Sequence, residues 1–156
     1  KEGRSFSAQE VLGIVKETKL LIDGSDVFFC VTIPGEISTA DQIELAHHLE
    51  EMGIDLIQTE GHYHAHTEMS GARALMDRAE LTISNTVELC RNVEIPVMTA
   101  TGINPTTAPF AFAAGASAIG CGSCVYKLSS ELSMMATISA LVEIANRNAV
   151  KVPELV

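Results

Sequence analysis

Four short apolar runs, each closed by glycine, proline or threonine turn residues and each separated from the next by a helical stripe, restrict this chain more than any other feature. The runs are residues 27–33, 54–59, 95–100 and 117–120. The first, Val27 to Ile33, is almost wholly β-branched or aromatic and stops at Pro34-Gly35, as a strand buried on both faces does. A capping box from Ser7 to Glu10 opens a helix before it, with Val11, Ile14 and Val15 leading towards Leu20 and Leu21. After it, Ser38 and Asp41 start a second helix whose stripe is Ile43, Ala46, Leu49 and Met52, with Gly53 at the C′ position. Weaker helical signals lie between Ala72 and Asn92, with a break expected near Glu80 to Thr82. A short helix is expected from Thr106 to Ala114, closing on Gly115. The last is expected to be capped near Ser129 or Ser130 and to run through Met134, Ile138, Leu141 and Ile144.

Strands that alternate with helices must be parallel, with helical crossovers. The fold class is therefore α/β, and the spacing of the units matches a (β/α)₈ TIM barrel, whose full length is about 250 residues. Four units after an opening helix predict one domain, residues 1–156, forming the C-terminal half of such a barrel. A half barrel leaves two edges and one sheet face open. The N-terminal half, absent from this chain, or a second copy, or another protein is expected to cover them.

Composition narrows the partners. Ten Lys and Arg against 20 Asp and Glu give a net charge of −10, which opposes approach to nucleic acid or anionic lipid. The most apolar tract, 108–119, is broken by Pro109, Gly115 and Ser117, so no membrane span is expected. The chain opens on Lys1, and residues 1–7 carry no leader signal; sequence upstream of Lys1 is expected. Four scattered cysteines, Cys30, Cys90, Cys121 and Cys124, fit a reducing compartment better than a disulfide framework.

The chemistry concentrates after the last two strands. Gly102-Ile103 and Gly120-Cys121-Gly122-Ser123 stand where barrels hold a phosphate on backbone N–H groups, glycine allowing close approach and positive φ. The competing reading is two tight strand-to-helix turns. Lys127 follows, either as a counter-charge or as an ordinary surface lysine. Glu60 shares a strand face with Gln58 and is the candidate general base, or else a carboxylate that caps a turn. Cys30, Thr32, Thr99 and Thr101, with Gln58, are expected to line the pocket. His62, His64 and His66 alternate in a polar loop and could bind zinc, but no remote ligand is identifiable, so the expectation is a solvated loop and no metal. Cys121 and Cys124 have CxxC spacing outside the context that redox chemistry needs. No strand ends in lysine, which disfavours a Schiff base, and no cofactor is evident beyond a bound phosphate or phosphorylated metabolite.

The strings Phe6 to Leu12, Val31 to Pro34, Gly53 to Gly61 and Glu131 to Met134 resemble the family called hypothetical chloroplast reading frame twenty-three, of plastids and cyanobacteria. The resemblance implies a phosphate-binding type of (β/α)₈ barrel in the chloroplast stroma or the cyanobacterial cytoplasm, with no settled reaction. In the family, the last strand ends in a turn that matches Gly120, Gly122 and Ser123, whereas Cys121, Cys124 and the histidine loop are departures. Two functions follow as expectations. One is a barrel that binds a phosphorylated small molecule, as an isomerase, lyase or synthase if it is an enzyme. The other is a non-catalytic scaffold or regulatory partner in a plastid assembly.

Overall fold

The computed structural model describes residues 6–61 and 69–148. The elements run α1 (Ala8–Ile22), β1 (Cys30–Thr32), α2 (Thr39–Glu51), β2 (Leu56–Thr59), α3 (Gly71–Asn92), β3 (Val97–Ala100), α4 (Ala108–Ala113), β4 (Ala118–Gly120), α5 (Ser123–Tyr126) and α6 (Glu131–Asn148). All four strands are parallel and pair in chain order, with Thr32 beside Gln58, Gln58 beside Met98 and Met98 beside Ala118. This is the expected α/β arrangement of four βα units behind an opening helix.

Alternation along the strands divides the sheet into two faces. Val31, Ile33, Ile57 and Val97 enter a core built with Val11, Leu12 and Val15 of α1, Leu45, Ala46 and Leu49 of α2, and Leu89 of α3. A second core joins Ala79, Ile103, Ala108, Ala111, Ala116 and Leu141. The opposite face carries Cys30, Thr32, Leu56, Gln58, Met98, Ala118 and Gly120, all half-buried or exposed. Among the described residues, helices thus cover one face only.

The caps read from sequence are present. Ser7 and Glu10 exchange bonds at the start of α1, Asp41 N–H donates to Ser38 Oγ at 3.1 Å, and Gly53 takes φ 69° after α2. The strands are shorter than expected, and Val27 and Phe28 are exposed ahead of β1. On α2, Gln42 and Leu45 are buried, where the expected stripe named Ile43.

The break expected near residues 80–82 does not occur, because α3 is continuous over 22 residues. Its buried face is polar: Thr82, Asn85 and Thr86 lie beside Ala79 and Leu89. Their hydroxyls are satisfied across the helix–sheet contact, Thr82 with Thr59 at 2.7 Å and Thr86 with Thr99 at 2.6 Å, while Thr86 Oγ1 also donates to the carbonyl of Thr82 at 2.8 Å. An apolar-periodicity reading loses the stripe at Thr82. Paired hydroxyls make these positions core.

Replacing Thr86 with valine keeps the shape but orphans the buried Thr99 hydroxyl, a loss of about 1–3 kcal/mol. Urea unfolding should show a lower midpoint at unchanged m value; an unaltered midpoint would remove the network from the list of stabilising contacts.

Candidate functional site

The loops that follow the strands gather at one end of the sheet, and glycine backbone sets how closely they meet. At the β1 exit, a Cβ on Gly35 would lie 2.2 Å from the Glu60 carbonyl oxygen, so only glycine fits. The Gly35 carbonyl accepts bonds from Asn85 Nδ2 at 3.2 Å and Gln42 Nε2 at 3.3 Å. Glu60 follows β2 and is half-buried. By alternation it continues the row of Gln58, whose Nε2 donates to Thr32 Oγ1 at 3.3 Å.

At the β3 exit, Thr101 and Gly102 both take the left-handed conformation, φ 73° and 77°. For a β-branched residue this costs roughly 1–3 kcal/mol, and such strain persists where the surroundings over-determine it. A Cβ on Gly102 would stand 2.5 Å from the Arg78 carbonyl oxygen of α3. Two side chains that sequence reasoning missed then lock the turn. Asn104 Nδ2 and Thr107 Oγ1 donate to the Gly102 carbonyl at 3.0 and 3.1 Å. In return Asn104 Oδ1 accepts from Thr106 N–H at 2.8 Å, and Thr107 Oγ1 accepts from Asn104 N–H at 3.0 Å. The signal was available, since asparagine before Pro105 is a turn initiator.

Gly120 pairs with Ala100, and its added Cβ would sit 2.9 Å from the Ala100 Cβ. The two turns are therefore neighbours, one strand spacing of about 4.8 Å apart. Ser123 opens α5, a single turn not expected from sequence, with Gly122 before it. Gly122 has φ −135° and room around it, so positive φ explains Gly102 but neither Gly120 nor Gly122. Among the described residues, the N–H groups of Gly102, Ile103, Gly122 and Ser123 donate to no carbonyl or side chain. The Ile103 side chain itself belongs to the core.

Of the expected pocket-lining residues, Cys30, Thr32 and Gln58 stand on the open face and Thr101 at the rim. Thr99 does not: it is fully buried on the helix side, bonded to Thr86. Period two puts Met98 and Ala100 on the open face instead. Lys127 is exposed at the end of α5. His62, His64 and His66 lie outside the described residues, and among those described no group of three metal-ligating side chains occurs.

Cys121 is exposed and its thiol is pushed up to about 12, first by partial loss of hydration and then by the charge and hydrogen bond of Cys124 beside it. Burial also raises Cys30 and Cys90. A redox CxxC requires the reverse, a stabilised first thiolate. The sign is plain: a raised value leaves the neutral thiol dominant throughout pH 7–9. Iodoacetamide labelling followed by mass spectrometry should therefore modify Cys121 more than tenfold more slowly than a free thiol peptide at pH 8, with the rate rising towards pH 12. Equal rates would contradict this account.

Among the described residues no helix is long and apolar enough to cross a membrane. Comparison with solved structures identifies the architecture. Wild-type GGGPS from Thermoplasma volcanium superposes with TM-score 0.60 at 20% identity, over 94% of this chain and 61% of that one. The (S)-3-O-geranylgeranylglyceryl phosphate synthase of Thermoplasma acidophilum, solved with its substrate sn-glycerol-1-phosphate, gives 0.54 at 16% identity, over 92% and 60%. The four βα units are thus of the TIM-barrel type. In sequence, the chain is 35% identical over 127 residues to "Uncharacterized protein ycf23" of the red alga Porphyra purpurea, covering 81% of this chain and 47% of that protein. It is 36% identical over 146 residues to the ycf23 protein of Cyanophora paradoxa, covering 94% and 58%. The chain spans about half the length of the curated relatives it matches. Residues 1–151 match the family described as "Protein of unknown function (DUF561)", and the chain belongs to that family, together with the plastid-encoded ycf23 proteins.

Proposed function

Starting from that membership, we propose that this part of the protein binds the phosphate group of a small molecule between the β3 and β4 exits. The observation that carries the reading is the set of N–H groups, on Gly102, Ile103, Gly122 and Ser123, that have no acceptor among the described residues. Backbone donors on two adjacent turns suit an anion with several oxygens, and the barrel fold favours that end of the strands. The likeness to a barrel solved with sn-glycerol-1-phosphate supports the ligand class by analogy of fold. Asn104 and Thr107 act by holding the first turn in shape.

Glu60 is the acid or base that such a ligand would meet, since it continues the open face one step above Gln58. The whole protein would then be an isomerase, lyase or synthase acting on a phosphorylated metabolite in the chloroplast stroma or the cyanobacterial cytoplasm. No resident cofactor is invoked.

Thermal unfolding of the full-length protein with inorganic phosphate, sn-glycerol-1-phosphate and other sugar and triose phosphates tests the reading. A ligand at about 100 times its Kd should add about 2.7 kcal/mol. Ser123→Asp, an exposed change that sets a negative charge at the turn, should weaken binding at least tenfold without lowering the ligand-free midpoint. No stabilisation by any phosphorylated compound would sink the proposal.

A further inference from the structure

The pair Cys121 and Cys124 is unsuited to catalysing thiol exchange, yet holding a disulfide makes different demands. It needs two side chains that converge and a main chain that lets the sulfurs close to about 2.05 Å. The two thiols are hydrogen-bonded to one another, so their side chains already converge. Between them lie Gly122 and Ser123. A Cβ added to Gly122 would meet nothing nearer than Tyr126 Cε1, at 3.6 Å, and a glycine main chain turns at little steric cost. Cys124 is half-buried against the core of Ala108, Ala111 and Leu141, whereas Cys121 is exposed. Closure of a bond therefore moves Cys121 and Gly122 and leaves Cys124 in place.

The other two cysteines cannot compete. Cys30 begins β1, three strands from β4, a separation of about 14 Å at roughly 4.8 Å per strand. Cys90 of α3 lies against Gly115, ahead of β4, its Sγ 3.2 Å from where a Cβ on that glycine would stand. We propose that Cys121 and Cys124 are a reversible modification site, joined as an intramolecular disulfide when a small-molecule disulfide such as oxidised glutathione is in excess. In the protein two S–H bonds break and one S–S bond forms, by way of a mixed disulfide. The two electrons and two protons reduce the small disulfide to two thiols. What spoils the pair as a catalyst suits it to this role. A strong thiol oxidant stabilises its own reduced form, and a low-pKa sulfur leaves quickly. Cys121 is instead held as the neutral thiol, so its reduced form gains no such advantage, and exchange is slow in both directions.

The ring so formed spans Gly122 and Ser123, whose N–H groups donate to no carbonyl or side chain among the described residues. Drawing Cys121 towards the anchored Cys124 re-aims both. The consequence for a ligand rests on the phosphate reading: with the Gly122 and Ser123 donors turned away, the oxidised turn should hold inorganic phosphate more weakly than the reduced one. The disulfide itself does not rest on that reading.

The test brings the full-length protein to equilibrium in mixtures of reduced and oxidised glutathione, quenches it in acid, alkylates it after denaturation and maps the peptides by mass spectrometry. A Cys121–Cys124 link should rise with the share of oxidised glutathione and disappear in dithiothreitol, with Cys30 and Cys90 remaining thiols. Cys121→Ser and Cys124→Ala, two independent variants, should each abolish it. A protein that keeps both thiols, or that carries glutathione on Cys121 without closing the ring, would overturn the proposal. Calorimetric titration with inorganic phosphate then reads the consequence, an affinity at least tenfold lower in the oxidised form and, in Cys124→Ala, no dependence on the oxidant. Equal affinity in the two forms would overturn the coupling of the bond to the ligand. Heat from neither form would refute the phosphate reading alone, because the peptide map decides the disulfide.

Discussion

The contact between α3 and the middle of the sheet is unusual in being held by hydroxyls. Thr59 and Thr99 stand on adjacent strands, Thr82 and Thr86 one helical turn apart, and all four are essentially inaccessible to solvent. Each hydroxyl can donate once and accept twice, so a closed group of them can satisfy itself where a single buried threonine could not. Directional bonds also fix the register of helix on sheet, which a purely aliphatic contact leaves softer. The position of α3 then governs the rim, because the Arg78 carbonyl meets Gly102 and the Asn85 side chain reaches Gly35.

Much of this fold could be read from residue order. The alternation of β-branched runs with capped amphipathic stripes gave the class, and Ser7, Ser38 and Gly53 marked their boundaries because capping is local chemistry. What escaped was set by tertiary partners. Thr82 looks like a break in the helix until its hydroxyl partner on the strand is known. Val27 and Phe28 look like strand residues, but among the described residues no strand pairs with them, the β1–β2 register beginning at Cys30. Thr99 reads as pocket lining because it is small, uncharged and two residues before Thr101, but its hydroxyl is taken up by Thr86 on the helix side, and Thr101 has left the strand conformation at φ 73°.

The site was legible to a similar depth. The turns at Gly102 and Gly120 stood out as glycines after strands, and their adjacency follows from the pairing of Ala100 with Gly120. Glycine at 120 and at 35 has a different cause, close packing against another backbone or side chain, which no single-sequence rule reports. Asn104 and Thr107 were passed over because polar residues in a loop read as solvated. Here their side chains serve as the internal scaffold of the turn.

The contact between Gly35 and Glu60 carries a mechanical meaning of its own. With no room for even one methyl between the two main chains, the exits of β1 and β2 cannot move closer together than they stand. Gln42 and Asn85 tie the β1 exit to the helix layer through the Gly35 carbonyl. The main chain at position 60 is therefore bounded by a residue far from it in sequence, and a side chain at position 35, which now bears none, would push it away.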